Sequence, residues 1–299
     1  LHLSLRRQRQ MCIRDRSIPA FKNNHKVPED FSFAEFPENF DHFEPFLQAA
    51  LKRVPLLEKA GIRKFFSGPE SFTPDTNTLL GEVPGLKNLF ACCGLNSIGI
   101  GSGGGVGKVT AEWMINGHIN DDLFIYDIKR FQKFHSKLEF ITERITETLG
   151  DLYGMHWPYK QHITSRNQKL LPYHEELKKA GACFGVSSGY ERPMWFAKKN
   201  QDPQFKYSYN YQNWYPSVEF ETKNTRENVG LFDLTAFSKY DLKGEKANSE
   251  LQKICTANVK SEIGRTTYTQ MLNEDGGIAA DLTVVCIDQN HFRIITSAA

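Results

Sequence analysis

Residues 94–108, GLNSIGIGSGGGVGK, hold seven of the chain's 22 glycines and follow directly on an apolar run at 89–93. That order reads as a strand delivering backbone into a glycine-rich loop, followed by a helical pattern at 106–116 that stops at Gly117. A loop so poor in side chains lets backbone N–H groups approach a ligand closely, and the positive end of the next helix dipole adds to the attraction. Nucleotides, phosphates and flavins suit such a place. A P-loop fails twice: Gly107-Lys108 is followed by Val109, and the position of the first required glycine is Ser102. The dinucleotide pattern does fit Gly99, Gly101 and Gly104. However, the acidic residue that should close a second strand is missing, because Asp121 and Asp122 fall in a polar turn. A glycine turn kept only for close helix–strand packing is the plain alternative.

The company of this loop narrows the choice. Upstream stands GPESFTPDTNTLLGEVPG (68–85); downstream come AEWMINGH (111–118), YDIKRF (126–131) and GYERPMWF (189–196). The series resembles the FAD-dependent flavoproteins that oxidatively demethylate N-methylglycines, sarcosine dehydrogenase and dimethylglycine dehydrogenase. It also resembles their non-enzymatic relative, the regulatory subunit of pyruvate dehydrogenase phosphatase. The resemblance runs from about residue 40 to the last residues of the chain. A second run, VGLFDLTAFSKYDLKG (229–244) through YTQMLNEDGGIAADLTVVCI (268–287), resembles the folate-binding aminomethyltransferase of glycine cleavage, the T-protein. In the demethylating dehydrogenases such a domain follows the flavin domain.

The opening LHLSLRRQRQMCIRDR carries five arginines against one acid, which accounts for the formal net charge of +2; without it the balance is −2. Residues 1–16 are expected to be a non-native scar or unstructured, since a presequence has no place beside the middle of a domain. No basic stripe points to nucleic acid, and no apolar run has the length of a membrane span. The six cysteines show no C-x-x-C pair and the nine histidines no H-x-x-x-H spacing, so neither a disulfide framework nor a metal site is supported. Buried reduced thiols in an intracellular compartment are expected, the mitochondrial matrix in a eukaryote or the cytoplasm in a bacterium.

The expected fold is a multidomain α+β and α/β chain. Residues 17–131 form the C-terminal part of a D-amino-acid-oxidase-like FAD domain, 132–216 a small, mostly helical central and linker domain, and 217–299 the start of an aminomethyltransferase-like folate domain. Within them, Asp41 caps a helix with Phe43, Phe46, Leu47, Ala50 and Leu51 on one face, and Gly61 ends that region. Residues 62–66 and 89–93 read as strands. Leu138, Ile141, Ile145 and Leu149 line the buried face of a helix ended by Gly150, and residues 173–180 form a helix stopped by Gly181. Residues 201–215, with four tyrosines and Trp214, read as a strapped linker. Residues 229–244 give two strands, 246–254 a helix, Asp275-Gly276 a hairpin turn, and 291–296 a last strand. The family's opening βαβ unit and flavin-linking histidine have no counterpart before residue 40. His25 lies in a Lys/Asn-rich polar stretch and reads as solvated. The chain is therefore expected to be a segment of a larger parent, without dehydrogenase activity of its own.

What the resemblance implies chemically follows from the reaction. Oxidising an N-methyl amine moves a hydride from the methyl carbon to the flavin, leaving an iminium and negative charge on the ring that preorganised donors must meet. In the family, the loop matching Gly94, Leu95, Asn96, Ser97, Ile98 and Gly99 lies against the flavin. Gly94 and Gly99 would permit backbone approach. Asn96 and Ser97 either add side-chain donors or bond their own backbone. Lys108 reads as a surface charge. The one-carbon unit then meets tetrahydrofolate, where a carboxylate beside the attacking nitrogen handles its proton. Asp281, flanked by Ala280 and Leu282, matches the T-protein residue with that role; the alternative is an edge-strand aspartate facing water. Tyr268 either shapes the pterin pocket or belongs to a core. Glu191 and Arg192 read as structural, over Trp195 and Phe196, and Glu70, Asp75 and Asp233 as turn or strand-end residues. An N-methylglycine substrate and an electron acceptor such as an electron-transfer flavoprotein are the implied partners. The 173–184 run and the Tyr190-Glu191-Arg192-Pro193 form favour sarcosine over dimethylglycine. The other reading is a regulatory subunit that keeps the fold without turnover.

Overall fold

The computed structural model describes residues 20–21, 27–32, 35–119, 123–152, 157–260 and 262–298. Expectations for residues 1–16, Cys12, His25, Asp121 and Asp122 lie outside them. The chain divides into two compact units, one up to Arg166 and one from Asn167.

In the first unit, helix α1 (Phe40–Arg53) is capped by Asn39, whose side chain accepts from the His42 N–H at 2.9 Å. The expected cap, Asp41, sits instead in the first turn, where its charge meets the positive helix end. Residues 62–66 form no strand; they have no ladder partner among the described residues, and Ile62 and Phe66 are exposed. Strand β1 (Leu79–Glu82), too short and glycine-broken to show as a pattern, pairs antiparallel with β2 (Phe90–Cys93) in the register Leu80↔Cys92 and Gly81↔Ala91. Helix α2 (Gly99–Asn116) rests its single buried residue, Trp113, on Gly81 and edge-on to Phe90, and Gly117 at φ +76° ends it.

Helix α2 corrects the expected loop: the glycine run belongs to the helix from Gly99 onward. The loop is confined to residues 94–98, and the helical ladder begins as Ser102 N–H bonds the Ile98 carbonyl at 2.9 Å. Each glycine weakens a helix by about 1 kcal/mol relative to alanine but does not forbid it. Gly101, Gly103, Gly104, Gly105 and Gly107 all look onto open space.

Helix α3 (Leu138–Asp151) also departs from its apolar pattern. Its buried residues are Phe140, Arg144, Glu147 and Thr148, while Leu138 is exposed. A polar stripe can be buried here because residues 163–164 satisfy it. Glu147 accepts from the backbone N–H of Ile163 at 2.8 Å and of Thr164 at 2.9 Å, and from the Thr164 hydroxyl; Arg144 donates to the Thr164 carbonyl at 2.6 Å. Burial raises the Glu147 carboxyl, but hydrogen bonds from His162, Thr164 and the two backbone amides outweigh it and hold the group far below its usual range. Because the folded value lies below the unfolded one, this stabilisation is present above about pH 4.5 and fades as pH falls further. Glu147→Gln is expected to cost about 1–3 kcal/mol at pH 7 and to flatten the loss of stability below about pH 4.5 expected of the wild type, both read by urea unfolding. Parallel acid profiles for the two proteins would contradict this account of α3.

In the second unit, α4 (His174–Lys179) ends at Gly181 (φ +88°) as its sequence indicates. The residues after it are not helical. Strands β3 (Ala182–Ser187) and β4 (Tyr190–Phe196) form an antiparallel hairpin with a bulge at Cys183/Phe184. Residues 201–214 are irregular, with Phe205 edge-on to Trp195 and Trp214, and helix α5 (Tyr215–Glu227) follows. Glu191, 1% exposed, accepts from the Asn167 N–H at 2.8 Å, and Trp195 is equally buried, so both serve the framework.

Strand β5 (Ser238–Lys243), helix α6 (Ala247–Ile254) and strands β6 (Thr266–Leu272), β7 (Ile278–Asp288) and β8 (His291–Thr296) complete the unit. The sheet order is β5-β8-β7-β6, antiparallel throughout. Only one strand forms in 229–244, because Asp233 bends the chain by accepting from the Thr235 N–H at 2.9 Å and hydroxyl at 2.6 Å. Helix α6 covers one sheet face, where Leu251, Val259, Leu282, Val284 and Phe292 make the core. Cys183, Cys255 and Cys286 are buried thiols as expected, whereas Cys92 and Cys93 are exposed on β2. No described helix is long and apolar enough to cross a membrane.

Candidate functional site

After Cys93 the chain turns through Gly94 (φ +65°), Asn96 (φ +49°) and Ser97 (φ +66°) into α2. Two neighbouring non-glycine residues in the left-handed region mark a loop held against its preference. Asn96 supplies the restraint. Its side-chain amide donates to the Gly94 carbonyl at 2.6 Å, and its side-chain oxygen accepts from Thr73 N–H at 2.8 Å, with Asn96 only 2% exposed. Of its two possible roles the structure shows the loop-binding one. Asn96 fixes the loop to residues 71–73. Gly94 is buried behind it, where a Cβ would come within 2.7 Å of Thr73 Cγ2.

The other residues of the loop face outward. A cavity of about 340 Å³ is lined by Glu70, Ser71 and residues 95–101, which brings Leu95, Asn96, Ser97, Ile98 and Gly99 together in one wall. The cap residue of α2, Ile98, offers no side-chain cap, so the first N–H groups of the helix are presented at this wall. Ser97 is exposed and its hydroxyl donates to the Glu70 carboxylate at 2.7 Å. Lys108 pairs with Glu112 at 3.7 Å on the exposed side of α2, as a surface charge.

The TPD segment is positioned by an interaction that spacing could not show. Asp75 receives Arg130 Nε at 2.6 Å and Nη2 at 3.1 Å, while Arg130 also donates to the carbonyls of Asn77 and Tyr126, each at 2.9 Å. Burial raises the Asp75 carboxyl, but the Arg130 guanidinium outweighs it and the net shift is downward. Two separate motifs, TPD and KRF, thereby become one clamp, and Asp75 is more than a turn residue.

In the second unit, strand alternation separates the three expected folate residues. Leu282 is 3% exposed within the core and Ala280 packs against that core, so their side chains lie on the covered face. Asp281 lies on the other face, exposed, opposite Gln270 in the ladder. There Tyr268, 63% exposed, donates its hydroxyl to the Asp281 carboxylate, and this bond raises the tyrosine's pKa. Tyr268 is not a core residue. On the same sheet Arg293 grips Asp241 through two bonds of 2.9 and 3.1 Å and holds that carboxyl down to about 2.

Three family models match the chain in series: FAD dependent oxidoreductase over residues 3–113, FAD dependent oxidoreductase central domain over 116–170, and GCVT N-terminal domain over 173–299. Among curated proteins, the chain is 40% identical to 4-methylaminobutanoate oxidase (formaldehyde-forming) of Paenarthrobacter nicotinovorans, over 91% of this chain and 33% of that protein. It is 34% identical to human mitochondrial sarcosine dehydrogenase, over 89% of this chain and 32% of that protein. It is 33% identical to the mouse mitochondrial pyruvate dehydrogenase phosphatase regulatory subunit, over 87% and 30% respectively. A solved aminomethyltransferase T from Bartonella henselae aligns at 27% identity over 44% of this chain and 31% of that one, with a TM-score of 0.35. The chain thus spans about a third of the length of the curated relatives it matches. The resemblance to the sarcosine and dimethylglycine dehydrogenase family, with its regulatory-subunit relative, is borne out. So is the series of an FAD-dependent oxidoreductase domain, a central domain and an aminomethyltransferase-like domain.

Proposed function

We propose that the chain is part of an FAD-dependent dehydrogenase that oxidatively demethylates an N-methyl amino acid, sarcosine or dimethylglycine, and passes the one-carbon unit to tetrahydrofolate. The observation that carries this reading is the cavity lined by Glu70, Ser71 and residues 95–101, which falls within the oxidoreductase match and lies at the start of α2. FAD, when bound, supplies the acceptor for the hydride equivalent leaving the methyl carbon. The chain's own contribution is the uncapped helix start with Gly99, Ile100 and Gly101, a fixed set of N–H dipoles for the electron-rich edge of the ring. Asn96 holds that loop in place. In the second unit Asp281 would orient the folate nitrogen and take its proton, with the exposed Tyr268 ring beside it as a stacking surface. An electron-transfer flavoprotein as acceptor, and a matrix or cytoplasmic setting, belong to the same proposal.

The full-length protein is expected to purify yellow. Gly99→Val should lower its flavin content, because a Cβ there comes within 2.9 Å of Leu95 Cδ1 and displaces the cavity wall. Flavin released by denaturation and measured by absorbance per protein chain checks both statements. A wild-type protein that takes up no FAD contradicts the proposal.

A further inference from the structure

Glu70 is the one ionisable side chain among the residues that line the cavity of about 340 Å³. It stands at the positive end of α2, where an acid could serve simply as a helix counter-charge. Its bonding shows a different arrangement. The carboxylate takes the Ser97 hydroxyl, 2.7 Å from each oxygen, and Ser97 reaches it from a left-handed conformation that its residue type rarely adopts. A hydroxyl has one proton to give, whereas an ionised carboxylate has about four lone-pair sites. No lysine, arginine or histidine among the described residues pairs with Glu70. The cavity therefore presents an exposed carboxylate, held in orientation by Ser97 and with acceptor capacity to spare, on a wall whose other residues, Ser71 and 95–101, carry no ionisable side chain.

We infer that Glu70 is a specificity-determining residue that pairs with the cationic nitrogen of the amine substrate. This rests on the reading of the cavity as the flavin-side site of an N-methyl amino acid dehydrogenase. Backbone N–H groups and a helix N-terminus suit electron-rich partners and repel a cation, so they cannot recognise an ammonium group. Glu70 gives the same cavity a separate, oppositely charged contact. A secondary or tertiary ammonium would be drawn to the carboxylate, while the ring edge meets the backbone donors. Ser97 fixes which way the carboxylate faces and is a positioning residue. Selection is for positive charge at nitrogen, and the length of the acid chain beyond it is left to other contacts.

Two ligands of similar shape separate charge recognition from general packing. N,N,N-trimethylglycine carries a permanent cation, and (methylthio)acetate replaces the nitrogen by an uncharged sulfur; both keep the carboxylate. Their binding to the full-length flavoprotein is read from the change in the visible spectrum of the bound flavin. Glu70→Gln is expected to weaken trimethylglycine by about ten- to a hundredfold, the range for removing one charge-assisted contact. The thioether should stay within about twofold, since a neutral sulfur has no charge for the carboxylate to meet. Glu70→Asp, which keeps the charge on a shorter stem, should retain part of the difference, with flavin content unchanged in both variants. Equal weakening of the two ligands, or no weakening of either, overturns the assignment of Glu70 while leaving the flavin site standing. A wild-type protein that holds no flavin overturns the reading of the cavity and this assignment with it.

Discussion

Replacing Asp281 by Ala or Asn in the full-length protein is expected to slow one-carbon transfer to tetrahydrofolate by about ten- to ten-thousandfold, the range for losing a positioned acid–base group. Amine-dependent reduction of the flavin should stay nearly intact, because Asp281 belongs to the sheet of the second unit and the proposed flavin wall to the first. The product should shift toward free formaldehyde as the iminium meets water before an activated nitrogen. The structure sharpens this expectation, since Asp281 lies exposed on the sheet face opposite α6 with Tyr268 bonded to it. Tyr268→Phe keeps the ring and removes that bond, so it should give a smaller shift in the same direction. Formaldehyde trapping with tetrahydrofolate present, alongside rapid-mixing flavin reduction, measures both steps. If wild type and Asp281→Ala divide their product identically, Asp281 is an ordinary strand residue.

Gly81→Val is expected to destabilise the first unit by about 3–5 kcal/mol, comparable to deleting a buried large aromatic. Gly81 sits at φ +106°, and a Cβ there would lie 2.7 Å from Trp113 Cζ3 and 3.0 Å from Cζ2. Trp113 is 7% exposed and is the only described residue of α2 that is buried, so expelling it unlatches the helix from the hairpin. Gly117→Ala is the control for backbone strain alone. Its φ is +76° with nothing within 4 Å, and a cost near 1 kcal/mol is expected. Urea unfolding of both variants decides it; equal losses would mean that the Trp113 contact carries little.

The sequence showed most clearly those elements whose signal is local. The Asp275-Gly276 hairpin, helices α4 and α6, and strands β2 and β8 stand where turn chemistry and periodicity placed them, within a residue or two. The misses have physical causes. Helix α3 buries Arg144 and Glu147 because a loop some 20 residues away in sequence satisfies them, and no hydropathy pattern reports that partner. Hairpin β3–β4 falls in the span expected to be mostly helical, although Val186, Tyr190, Trp195 and Phe196 are strand-prone types. Residues 62–66 include strand-prone types but form no strand, having no neighbour to pair with among those described.

The candidate sites were legible to differing depths. Residues 95–99 were marked by their glycines and do line the cavity. That Asn96 turns inward, that Glu70 turns toward the cavity, and that Asp75 meets Arg130 across 55 positions are tertiary facts. In strand β7, period-two alternation already implies that Asp281 and its neighbours face opposite ways, so Leu282 and Ala280 are not equivalent to it.

The central claim is that the cavity at residues 95–101 belongs to an amine-oxidising flavin site. Anaerobic mixing of the full-length protein with sarcosine, dimethylglycine and 4-methylaminobutanoate, following the visible absorbance of the bound flavin, tests it most directly. Rapid bleaching by at least one of these amines, complete within a single turnover, is the predicted result. A protein that binds FAD yet stays fully oxidised with all three contradicts the dehydrogenase and favours a regulatory subunit that keeps the fold without the chemistry.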